Sequence, residues 1–167
     1  MRACMSFAFR RSRGARKVAL DLCDECSAAP DNDLPHYANL KGILQAESLL
    51  HQLSSEGTLK ALAKLIAVLE RRDPEQNVAT NPDIEAVARS ILAHGFIQLA
   101  VHFPDGAKNI QLSADELLSE ALQLSEEAIA LAPHLPDGHT SLGRVMLCQD
   151  DDVADMDARE RFEVALA

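Results

Sequence analysis

Residues 131–147 read LAPHLPDGHTSLGRVML, two prolines three positions apart between stretches whose Ala and Leu content favours helix. Pro133 and Pro136 break the chain, yet a helical pattern restarts at once and carries Gly143 in its interior. A glycine inside a helix costs about 1 kcal/mol relative to alanine. Its presence is accounted for if another helix has to come close to the backbone there.

Outward from this break the chain reads as helix throughout. Upstream, Leu117, Ala121, Leu124, Ala128 and Leu131 recur at helical spacing, and Ser113 with Glu116 has the spacing of a capping box. Before that, Asn81 caps a helix that has Pro82 in its first turn and Asp83 and Glu85 at its positive end. Ile84, Val87, Ala88, Ile91, Leu92, Phe96 and Leu99 hold one face of it up to Phe103-Pro104, and the following PDGAKNIQL reads as a loop. An earlier helix carries Tyr37, Leu40, Ile43, Leu44, Leu50 and Leu53 and stops at Gly57. Thr58 caps the next, whose stripe is Leu62, Leu65, Ile66 and Leu69, before Asp73-Pro74. Downstream, a fifth helix starts at Pro136 or Asp137 and a sixth at Asp157, which has Glu160 at capping-box spacing. Six helices in three hairpins without a strand make this an all-α protein, either a helical repeat array or an α-bundle.

Composition narrows the class of partner. The 167 residues suit one domain and include no Trp, with aromatics at 4%. Net charge is −10, but Arg2, Arg10, Arg11, Arg13, Arg16 and Lys17 all precede the first acid, Asp21. The remainder sets ten basic residues against all 26 acidic ones, a body that repels nucleic acid and suits protein partners, basic ones included. Residues 1–33 therefore form a basic N-terminal arm, partly disordered, with a short helix over ARKVALDLCDEC; the helical domain runs from 34 to 167. The arm fits an organelle transit peptide, a solvated extension or an upstream start codon. Cytoplasm is the expected location, or an organelle matrix if the arm is a transit peptide. No run approaches the roughly 18 uncharged apolar residues of a membrane helix, and no membrane insertion is expected.

The break at 131–147 also carries a resemblance. EEAIALAPHLPDGHTSLGRVMLCQDD followed by ARERFEVALA resembles the tetratricopeptide repeat, a 34-residue helix-turn-helix unit with a Leu-Gly pair in its first helix, alanines and an aromatic in its second, and a closing proline. Leu142-Gly143 match the first helix, Ala158, Phe162 and Ala165 the second, and Ala121, Ala128 and Pro133 the end of the preceding unit. His139 stands where the family has Trp, and Met146 where it has Tyr. The 59 residues from Pro74 to Pro133 imply an insertion in the middle unit. The resemblance is strong over 121–167, weak over 37–74 and absent before 34. It implies an α-solenoid of about three such hairpins with an N-terminal extension.

It also implies a groove. Stacked units leave their first helices on a concave side that takes an extended or helical peptide. In the last unit the facing set would be Asp137, Thr140, Ser141, Arg144, Leu147 and Cys148. Thr140 and Arg144 stand where some members carry a Lys and Asn clamp for a chaperone's terminal carboxylate, so that clamp is not reproduced.

Nothing in the sequence adds catalysis. Cys23 and Cys26 form a lone CxxC flanked by Asp24 and Glu25, without a second ligand pair or a βαβ setting. The acidic run Asp150, Asp151, Asp152, Asp155 and Asp157 lacks the glycine and ligand spacing of an EF-hand. The histidines at 36, 51, 94, 102, 134 and 139 include no HExxH pair and read as packing or surface residues. With four cysteines in 167 residues, a reducing compartment fits better than a disulfide framework. The expected protein needs no cofactor or metal, is not an enzyme, and is a scaffold binding a protein or peptide. The alternative is a non-repeat helical subunit that regulates or assembles an enzyme complex. The helical pattern is still running at FEVALA, so further repeats beyond Ala167 and marginal stability for this chain alone are expected.

Overall fold

The computed structural model describes residues 35–70, 81–148 and 152–166. Seven helices and no strand occur among them: α1 (Pro35–Leu50), α2 (Ser55–Glu70), α3 (Pro82–His102), α4 (Pro104–Asn109), α5 (Ala114–Leu131), α6 (Pro136–Met146) and α7 (Asp152–Leu166). The basic arm, with Cys23 and Cys26, and the 71–80 linker lie outside the described residues, as do Asp150 and Asp151.

Several starts follow local chemistry. Asn81 Oδ1 accepts the Asp83 N–H at 3.0 Å with Pro82 in the first turn of α3. Ser113 and Glu116 close a complete capping box on α5. α6 starts at Pro136 without a side-chain cap.

Other boundaries differ from the sequence reading. α1 ends at Leu50, and Leu53 is 65% exposed with φ 48°, a turn residue rather than part of a stripe. α2 begins at Ser55, because Ser54 Oγ takes the Gly57 N–H at 3.1 Å. Thr58 is consequently inside the helix and fully buried, and Gly57 is no stop. Ile66 is 41% exposed. The stretch read as a loop after Phe103 contains the short helix α4, nucleated by Pro104. α7 starts five residues before Asp157, which lies on its exposed surface and caps nothing.

The core is arranged around α3. α1 packs on α2, α2 on α3, α3 on α5, α5 on α6 and α6 on α7, while α3 also touches α1 and α6. The first helices of successive hairpins, α1, α3 and α6, are therefore neighbours. Buried residues lie on more than one side of α3, with Ala86, Ala93 and Ile97 nearly opposite Ile84, Gly95 and Leu99, so the burial extends well beyond the single face expected of it. This helix is long and apolar enough to cross a membrane by length and composition, but 61% of the qualifying stretch is buried in the fold. Its charged residue Arg89 pairs with Glu85 of its own helix and reaches Glu127 of α5 at 3.4 Å.

α6 explains the small residues around the proline break. A Cβ on Gly138 would stand 3.1 Å from the Ile129 nitrogen of α5, and one on Gly143 would stand 2.9 Å from the Phe162 ring and 3.2 Å from the Ala158 carbonyl of α7. Five residues apart is about 140° around a helix, so the two glycines admit neighbours from different sides. Ala121, Ala128, Leu142 and Ala158 are buried, and Phe162 and Ala165 half-buried. Pro133 is exposed in the turn, where its carbonyl lies 3.3 Å from His139 Nε2. That contact ties the buried His139 ring to the start of its own hairpin.

Candidate functional site

α1, α3 and α6, with part of α7, line an open cleft of about 600 Å³. α6 supplies Pro136, Asp137, Thr140, Ser141 and Arg144, positions one helical face brings together. α3 supplies Ser90, Ile91 and His94, and the end of α1 supplies Glu47, Leu50 and the adjacent His51. Phe162, Ala165 and Leu166 complete the wall.

Four of the six groove residues expected from sequence, Asp137, Thr140, Ser141 and Arg144, thus share one cleft. Leu147 and Cys148 do not line it. One turn beyond Arg144, Cys148 packs against Ala93, Ile97, Ala121 and Val145 of the interior, and its Sγ donates to the Arg144 carbonyl at 3.2 Å. Burial pushes this thiol above its ordinary pKa, opposing thiolate chemistry. Leu147 lies past the helix end and is 53% exposed.

Within the cleft the hydroxyls serve the backbone. Thr140 Oγ1 donates to the Pro136 carbonyl, Ser141 Oγ to Gly138 and Ser90 Oγ to Ala86. None of these hydroxyls is paired with a histidine as an activated nucleophile would be. Glu47 and His51 lie 3.8 Å apart on the rim. Among the described residues no group of three or more His, Cys, Asp or Glu side chains is placed to hold a metal ion.

From the cleft residues Arg144 and His94 a polar thread that sequence reading missed runs into the interior. Arg144 Nη1 lies 3.2 Å from His94 Nδ1, His94 Nε2 lies 3.4 Å from the Gln98 amide nitrogen, and Gln98 Oε1 lies 3.1 Å from the Thr58 hydroxyl. Thr58 also lies 2.9 Å from the Ser54 carbonyl, and the Gln98 nitrogen 3.4 Å from that of Leu50. Arg144 can only donate, so His94 Nδ1 accepts from it. The Thr58 hydroxyl proton is directed at two acceptors, the Ser54 carbonyl and Gln98 Oε1. These contacts join α6, α3 and α2, and the Gln98 amide nitrogen donates to the Leu50 carbonyl at the end of α1.

The available signal was polar residues at Ser90, His94 and Gln98, four apart on the most apolar helix of the chain. Comparison with protein-family models, curated proteins and solved structures returned no match.

Proposed function

We propose that the chain is a non-catalytic interaction module, an α-solenoid of three hairpins stacked in the tetratricopeptide manner, whose cleft takes a peptide or helix of a protein partner. The observation supporting this reading is the side-by-side packing of α1, α3 and α6, which makes one cleft out of the first helix of every hairpin. Ile91, Phe162 and Leu166 give it apolar contact area, while Asp137, Thr140 and Arg144 supply polar contacts.

A random peptide library selected on the full chain tests the reading. Enriched peptides should share a pattern and lose at least roughly tenfold in affinity against Arg144→Glu, with circular dichroism confirming that the variant keeps its helices. Peptides that bind the variant equally well, or an unenriched library, defeat it.

A further inference from the structure

We propose that the cleft takes this chain's own basic segment, residues 5–17 (MSFAFRRSRGARK), as a ligand held in cis; the inference rests on the cleft being a peptide site. Three observations carry it.

The first is charge. Residues 18–167 carry an excess of sixteen acidic side chains, and within the cleft the carboxylates Glu47 and Asp137 outnumber the one guanidinium, Arg144. The only stretch of strongly opposite sign in the chain is the arm, where Arg10, Arg11, Arg13, Arg16 and Lys17 lie within eight residues without an acid. Such a body attracts a cationic segment before it makes any contact.

The second is side-chain type. Ahead of the cations, Met5, Phe7 and Phe9 alternate with Ser6 and Ala8. An extended segment carries all three large apolar groups on one edge. The cleft offers the matching pair of surfaces, Ile91 and Phe162 beside the acidic Glu47 and Asp137.

The third is reach. The chain rejoins the described fold at Pro35, the start of the helix whose other end holds Glu47. Twelve helical residues span about 18 Å, whereas the seventeen residues from 18 to 34 can extend across roughly 55 Å. A tether of that length presents the segment at an effective concentration on the order of millimolar, so even weak affinity fills the cleft.

The test uses the full chain and a fluorescein-labelled synthetic peptide with the sequence of residues 1–17, read by polarisation under reducing conditions. The arm is weakened by R10E/R11E/R13E, and the cleft by adding Glu47→Lys to that triple variant; circular dichroism checks both folds. The peptide should bind the triple variant about tenfold or more tighter than the native chain, since no arm competes. Binding should fall again with Glu47→Lys. Equal affinity for native chain and triple variant overturns cis occupancy while leaving the cleft as a peptide site. Binding that ignores Glu47→Lys moves the segment to another surface and also overturns the proposal. No binding to either form shows that the segment is no cleft ligand; library peptides sensitive to Arg144→Glu then judge the cleft separately.

Discussion

Arg144 of α6 contacts His94 of α3 across fifty residues of sequence, with Nη1 3.2 Å from Nδ1. The pair joins α3 and α6 where both line the cleft, and through Gln98 it continues to Thr58 of α2. Because Thr58 and Gln98 are buried, the thread has no solvent to replace a lost partner.

Thr58→Val should therefore cost about 1–3 kcal/mol, the usual penalty for leaving a buried polar group without its partner. Gln98→Leu should cost a similar amount. The double variant should lose less than the sum, giving a coupling of at least about 0.5 kcal/mol in urea unfolding. Strict additivity contradicts a hydrogen bond between Thr58 and Gln98.

The two glycines of α6 make a graded pair. Gly143→Ala should destabilise by about 1–2 kcal/mol, since crowding against Phe162 outweighs the helix-propensity gain of about 1 kcal/mol. Phe162→Leu in the same chain should recover part of that loss. Gly138→Ala meets comparable crowding, Ile129 Cγ1 at 2.8 Å and the Ile129 nitrogen at 3.1 Å, but lies in the first turn, where the helix-propensity gain is smaller, so its net cost should be the larger. Thermal melts of the three variants check the order.

Leu53 and Gln111 adopt φ of 48° and 58°, the left-handed region in which a side chain crowds its own backbone. Both are exposed, and changing either to glycine removes that crowding without opening a cavity. Each substitution should raise stability by about 0.5–1 kcal/mol despite the entropy glycine adds to the unfolded chain. A lower melting temperature for both would contradict this.

Glu116 accepts from the Ser113 backbone N–H and hydroxyl, which holds its carboxyl below the ordinary glutamate value of 4.5. A carboxylate depressed in the folded state stabilises the fold above its unfolded value and loses that contribution as pH falls through the folded one. Denaturant midpoints between pH 6 and 3 should therefore fall less steeply for Glu116→Gln than for the native chain. Removing the other half of the box, Ser113→Ala, should cost about 1 kcal/mol at neutral pH.

Cys148 should alkylate far more slowly at pH 7.5 in the folded chain than in urea, because burial raises its thiol pKa. Peptide mapping by mass spectrometry resolves it from the other three cysteines. Fast labelling in the folded state would mean that its packing against Ile97 and Val145 is wrong.

What the sequence made legible was chemistry complete within one turn. Asn81 with Pro82, and Ser113 with Glu116, announce helix starts because cap and recipient lie two or three residues apart. The start of α2 was misread for the opposite reason. Ser54 and Thr58 are both credible caps locally, and what draws Thr58 into the interior is Gln98, forty residues away. Likewise the apolar stripe of α3 was visible, but not its coverage on the remaining sides, which comes from α1, α2, α5 and α6 together. Half of the cleft was legible for a similar reason: α6 announces its own face, while Glu47, His51 and His94 join it only through packing.

The position of α3 bears on how such a protein can change over generations. In a uniform array a unit can be duplicated or dropped because all joints are alike. Here α3 is held by α1, α2, α5 and α6 at once, so it could not be copied or lost without remaking the packing of all four neighbours.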